Sequence, residues 1–206
     1  MSSSAYNQAW KYGVSGSPGE RGLIKSVSWQ FCMKRSGFYP DHERDFFPEG
    51  QYCIIKHHDE SCPFGFEKGW IFWDDENNQS GNKNSFYGTQ KSKPDGQFNH
   101  DTKIFFCCRN DGSYRDQISL PKSEFDSFGL TLLPYKQKRC QRVAGKIARV
   151  ASYFFDTEDD SESRNLRFHS DDGAPYVRSL KDGFRFYVCV YETRLSGPDK
   201  RKLGKK

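Results

Sequence analysis

The sequence predicts an all-β protein made of quasi-repeated strand–acidic loop–strand units, arranged as a sandwich or barrel and cross-linked by disulfides. Three observations carry that expectation. Aromatic residues make up 16% of the 206 positions, with 18 Phe and 11 Tyr, although only 34% of residues are hydrophobic. Aromatic side chains bury large areas each and favour strands over helices. Runs of β-formers alternate with Gly, Pro, Asn and Asp clusters, whereas helical periodicity is weak. The chain also matches itself at an offset of 82 residues. Phe72-Trp73-Asp74-Asp75-Glu76 overlies Phe154-Phe155-Asp156-Thr157-Glu158, Phe86 overlies Phe168, and Lys103–Cys107 overlies Arg185–Cys189. Each unit reads as an aromatic strand, an acidic loop and a second aromatic strand carrying a cysteine.

The elements follow in order. A first strand is expected over 25–34, ending in Phe31-Cys-Met-Lys34, which looks like the surviving end of a third unit whose front is worn or truncated. Strands 51–57 and 69–74 are alternating or continuous runs of aromatic and β-branched residues. Pro94-Asp95-Gly96 and Asn110-Asp111-Gly112 are turn signals bracketing strand 103–109. Strands 116–120, 128–133, 151–156 and 184–192 complete the set, and Arg139–Val150 is the one stretch with room for a short helix. The domain reading is a degenerate N-terminal segment at 1–24, a β domain at 25–193 and a basic flexible tail at 194–206.

Charge narrows the partners. The formal net charge is +5, and five basic residues crowd the last seven positions, so the body carries 27 basic against 27 acidic groups. A nucleic-acid surface needs a positive excess to displace counterions, so none is expected. No apolar run reaches the length of a transmembrane helix. The tail, Lys200-Arg201-Lys202 with Lys205-Lys206, reads as a solubilising end, with a nuclear signal or an acidic-surface contact as the sharper alternatives.

Seven cysteines without any Cys-x-x-Cys spacing argue against zinc or thioredoxin chemistry. If the units are equivalent, each early cysteine bridges to the cysteine of its last strand. The last unit offers only Cys140 and Cys189. Neighbouring strand residues face opposite ways, so Cys107 and Cys108 need different partners. The offset equates Cys107 with Cys189, giving Cys62–Cys107 and Cys53–Cys108, and Cys32 stays single. Such bridges contribute on the order of 3–4 kcal/mol each. The alternative is seven reduced, buried thiols in a cytoplasmic protein. It draws support from Met1–Tyr6, which has no apolar signal-peptide region.

Several motifs resemble the C-terminal domain of apextrin, ApeC: Phe47-Pro-Glu-Gly-Gln-Tyr-Cys53, Cys62-Pro-Phe-Gly-Phe-Glu-Lys-Gly69 and Ile71-Phe-Trp-Asp-Asp-Glu-Asn77. Pro94-Asp-Gly96, Phe106-Cys-Cys-Arg-Asn-Asp-Gly112, Ile118-Ser-Leu-Pro121 and Cys140-Gln-Arg-Val-Ala-Gly145 continue the likeness, over about residues 27–192. The family's opening aromatic Gly-Cys-Pro unit is missing, and its last unit departs at Phe155-Asp-Thr-Glu-Asp159 and Tyr187-Val-Cys-Val-Tyr191. The resemblance implies an innate-immune module, extracellular in many members, that binds bacterial peptidoglycan. For members without a signal peptide it implies an intracellular protein-interaction module in immune signalling. It supplies no ligand residues.

From the residues themselves, Trp70, Trp73, Asp74, Asp75, Glu76 and Asn77 are the candidate ligand contacts. Indole faces stack on the apolar faces of sugars, and carboxylates and amides bond sugar hydroxyls or peptide amides. The same tryptophans could fill a core, and the acidic loop could be a solvated turn. No cofactor is expected; calcium is the one ion the loop's oxygens would suit, although the EF-hand spacing is absent and Thr157 replaces the carboxylate in the second copy. Asn78-Gln79-Ser80 fits the N-glycosylation pattern. His57-His58 reads as an exposed hairpin tip rather than a metal or acid–base pair. With no GxSxG, HExxH or phosphate loop, the expectation is a binding protein and not an enzyme.

Overall fold

A computed structural model describes residues 11–13, 28–30, 47–58, 60–75, 94–98, 101–120, 130–157, 168–180 and 183–193. Every regular element among them is a strand. In chain order these are β1 (Lys11–Gly13), β2 (Ser28–Gln30), β3 (Gln51–Ile55), β4 (Glu67–Asp74), β5 (Gly96–Phe98), β6 (Asp101–Asn110) and β7 (Gln117–Ile118). There follow β8 (Leu130–Pro134), β9 (Arg142–Val143), β10 (Lys146–Asp156), β11 (Phe168–Ser170), β12 (Val177–Leu180) and β13 (Gly183–Thr193). Residues 1–10, Cys32, Glu76, Asn77, Asn78-Gln79-Ser80, residues 158–160 and the tail 194–206 lie outside the described residues.

Nine of these described strands form one antiparallel sheet, ordered β10-β13-β8-β3-β6-β4-β11, with β12 beside β13 and β5 beside β6. Strands β6 and β13 are its two spines. One edge of β6 carries β4, while the other carries β5 and then β3. One edge of β13 carries β10, while the other carries β12 and then β8. Trp73 pairs with Thr102 in one ladder; Phe155 and Phe184, each 82 residues further on, pair in the other. The short hairpins slip by one residue: Gly96 pairs with Ile104, but Arg178 pairs with Arg185. Strands β3 and β8 join the halves, and a bridge between Asp75 and Thr157 draws the far ends of β4 and β10 together. The sheet therefore curls into a half-barrel.

Alternation puts an apolar cluster on each face. The concave cluster includes Ile55, Ile71, Trp73, Ile104, Phe106, Phe184 and Phe186, with Phe155 packed against it. The convex cluster includes Tyr52, Ile54, Leu132, Cys189 and Tyr191, roofed by Phe47, Phe66 and Leu120. The middle strands are thus buried on both sides. The three bridges are Cys53–Cys108, Cys62–Cys107 and Cys140–Cys189, as the sequence predicts. Cys108 lies in the concave cluster and Cys107 in the convex one, so strand parity separates them as expected.

Two expectations are corrected. The stretch 139–150 contains no helix: β9 turns at Ala144-Gly145 into β10, with Gly145 at φ 69°. Left-handed backbone suits glycine, and Val143, Ile147 and Val150 are β-branched, so local chemistry favours strands on either side. His57 is not at an exposed tip. It is 9% exposed and bridges to Pro94, because the chain after β3 lies against the entry to β5.

Candidate functional site

Strand β4 carries most of the residues singled out from sequence, and its alternation sorts them. Gly69, Ile71 and Trp73 are buried, whereas Trp70 and Phe72 are only partly covered and Lys68 is exposed. Trp70 and Trp73 are three positions apart, which on a strand means opposite faces. Trp73 is a concave-core residue, 6% exposed, with ring centroids 5.2 Å from Phe155 and 5.3 Å from Phe184. Its indole therefore has no open face for a sugar, and of the two candidate tryptophans Trp73 takes the core-filling role.

Asp75 is also turned inward by its bonds. Its Oδ1 accepts from Trp73 Nε1 at 2.7 Å and its Oδ2 accepts from Thr102 Oγ1 at 2.5 Å. Asp74 is 8% exposed and stands opposite Asp101 in the ladder. Among the described residues no group of three or more His, Cys, Asp or Glu side chains converges on a metal position. Among the described residues, the concave interior holds a cavity that is too small for a sugar. This cavity, of about 10 Å³, is wholly apolar and lined by residues including Ile55, Trp73, Phe106 and Phe184.

What remains is the outer face of β4, β5 and β6, beyond the edge of the convex cluster. Trp70 stands directly opposite Phe105, and Phe72 opposite Lys103. Both rings are partly exposed. The Lys103 ammonium sits 4.1 Å from the Trp70 ring centroid and 5.2 Å from that of Phe105, and Lys68 sits 3.9 Å over Phe105. At exposed sites such cation–π contacts hold by only about 0.5–1 kcal/mol. The lysines can therefore swing off the rings at small cost. At one border, Asp95 accepts from the buried Lys56 at 2.8 Å and has Lys68 at 3.9 Å and His58 at 3.7 Å. One carboxylate thus faces two ammonium groups. At another border the Asp171 carboxylate accepts the Trp70 backbone N–H at 3.0 Å and holds β4 in place.

Of the residues singled out from sequence, Trp70 lies on this face; Phe105, Lys68 and Lys103 were not among them. The missed signal was parity: Phe105 lies an even number of residues from Cys107 and so shares its face. The acidic-loop residues Glu76 and Asn77 lie outside the described residues.

A disulfide-laced all-β domain with two cores and an aromatic, lysine-capped outer face is a protein built for oxidising surroundings. The chain belongs to the family of the C-terminal domain of apextrin (ApeC), whose model matches residues 7–191. No curated protein and no solved structure matches it. No helix among the described residues is long and apolar enough to cross a membrane.

Proposed function

We propose that this domain is an extracellular innate-immune recognition module that binds bacterial peptidoglycan through the outer face of β4 and β6. The observation that carries the reading, in a member of this family, is the pairing of Trp70 and Phe105 beneath Lys68 and Lys103. Peptidoglycan offers pyranose rings with apolar faces and, beside them, stem-peptide carboxylates. Rings suit the first and displaced ammonium groups the second. The three disulfides favour an extracellular setting over the intracellular signalling alternative. The role is binding rather than catalysis, so wall fragments incubated with the protein are expected to release no muropeptides.

Retention on insoluble peptidoglycan tests this. Trp70→Ala and Lys103→Ala are each expected to weaken binding about five- to tenfold, near 1 kcal/mol per lost ring or charge contact. Arg185→Ala, an exposed change on β13, should leave it unchanged. Wild-type protein that washes off the wall material would end the peptidoglycan reading. Equal retention by Trp70→Ala and wild type would remove this face from it.

A further inference from the structure

Strand β10 ends the sheet. It is ladder-paired along its length to β13, from Lys146↔Thr193 to Asp156↔Gly183, and among the described residues no strand is paired to the far side of 146–156, the Asp75–Thr157 bridge lying just beyond its end. Apart from that ladder and the Arg149–Glu192 ion pair at 3.1 Å, residues 147–152 make no hydrogen bond. Ile147 to Val150 and Ser152 are exposed and Ala151 is half-buried, so among the described residues nothing pairs with their outer backbone groups. Three large apolar side chains on the same strand are open as well: Ile147 at 44%, Val150 at 42% and Phe154 at 48%. Long edge strands with exposed apolar residues are templates for further pairing, and proteins that stay monomeric blunt them with proline, bulges or inward charges. Residues 146–156 contain no proline, and their ladder with β13 runs without a bulge.

We propose that β10 is the interface of a two-fold dimer, in which it pairs antiparallel with β10 of a second copy about an axis at Val150. The occupant is argued from self-complementarity. In that register Val150 meets Val150, Ala148 meets Ser152, Arg149 meets Ala151 and Lys146 meets Phe154. Both basic residues lie before the axis and the one acidic residue, Asp156, lies after it. Antiparallel pairing therefore sets the basic half of each strand against the uncharged and acidic half of the other. No like charges stand opposite, which is the condition an isologous interface must meet. The dimer joins two half-barrels into one continuous sheet and presents two copies of every outer face. On a repetitive polymer that converts the second contact into an intramolecular one. The pairing does not depend on the peptidoglycan reading.

Sedimentation velocity of the full chain across the micromolar range tests it. The wild type is expected to move toward twice the chain mass as concentration rises. Val150→Lys puts two ammonium groups face to face on the axis, and should raise the dimer dissociation constant about tenfold or more with circular dichroism unchanged. A second arm does not depend on that variant folding. In a Cys32→Ser background, Val150→Cys should form an intermolecular disulfide on mild oxidation, since axis-related Cα atoms sit about 4.5–5.5 Å apart. Ile147→Cys should not, because its symmetry mate is six residues away along the strand. A wild type that is monomeric at every concentration, a dimer indifferent to Val150→Lys, or equal cross-linking at both cysteine positions would each overturn the proposal.

Discussion

Gln141 and Arg109 show how single polar side chains hold the convex roof in place. Gln141 is fully buried. Its Oε1 accepts the Gln51 N–H at 2.8 Å, and its Nε2 donates to the carbonyls of Ser113 and Asp116 at 3.1 and 2.6 Å. Arg109 is also buried and donates to both oxygens of Asp111 from Nε at 2.8 and 2.7 Å, and to the carbonyl of Phe47. The Arg109 guanidinium holds the Asp111 carboxyl below its usual range, against the opposing effect of partial burial. A carboxyl depressed by folding stabilises the native state at pH values above its unfolded pKa of about 4. That contribution is lost as pH falls through the lower, folded value. Asp111→Asn should therefore cost about 1–2 kcal/mol at neutral pH, kept small by solvent screening of a side chain that is 37% exposed. Thermal midpoints measured from pH 6 to pH 2 check the sign: the gap between wild type and variant should narrow below about pH 4. A gap that does not begin to narrow between pH 4 and pH 2 would show that the ion pair is not its source.

Strand β4 is the element whose environment is least forgiving. A Cβ on Gly69 would lie 2.1 Å from the carbonyl carbon and oxygen of Gly173, both backbone atoms, whereas one on Gly173 would meet the Lys68 oxygen at 3.0 Å. Gly69→Ala therefore has to push the 171–174 loop off the strand, breaking the Asp171 bond to Trp70 as well. The expected loss is about 2–3 kcal/mol for Gly69→Ala and less for Gly173→Ala, read from denaturant midpoints; the reverse order would contradict this packing. That close approach was invisible in the sequence, because it joins residues about a hundred positions apart. The strands themselves were legible wherever β-formers ran for five residues or more. The two-residue β7 lies inside the strand predicted at 116–120, whereas β5, β9, β11 and β12, two to four residues each, are fixed by tertiary pairing and carry too few residues to show a period. The stretch 139–150, which had room for a short helix, is divided by the turn at Gly145 into two strands. At the candidate site, Trp70 was identified by residue type. Its partners follow only from pairing β4 with β6, and the same strand alternation decides that Trp73 fills the core.

For the whole molecule, the bridges divide by what they join. Cys53–Cys108 links facing residues of β3 and β6 inside the concave core, both at most 2% exposed. Cys62–Cys107 and Cys140–Cys189 instead fasten roof segments to β6 and β13 over the convex core, and Cys62 and Cys140 are only partly buried. The three close spans of similar length, 55, 45 and 49 residues, so chain entropy alone assigns each about 4 kcal/mol and does not rank them. Access does rank them. A reductant reaches a partly buried sulfur by local opening of the roof, whereas the core bridge needs the β3–β6 pair to separate. Graded reduction under native conditions, with alkylation and peptide mass mapping, should find Cys53–Cys108 opening last. Removing Cys140–Cys189 by Cys140→Ser with Cys189→Ala should free the segment bearing Gln141, to which Tyr191 donates its hydroxyl at 2.7 Å. A fall in thermal midpoint of about 10 °C is expected, from the loss of about 3–4 kcal/mol in a chain of this size. If the core bridge opens first, the concave cluster is not the last part of the half-barrel to yield, and its role as the rigid support of the β4–β6 outer face falls with it.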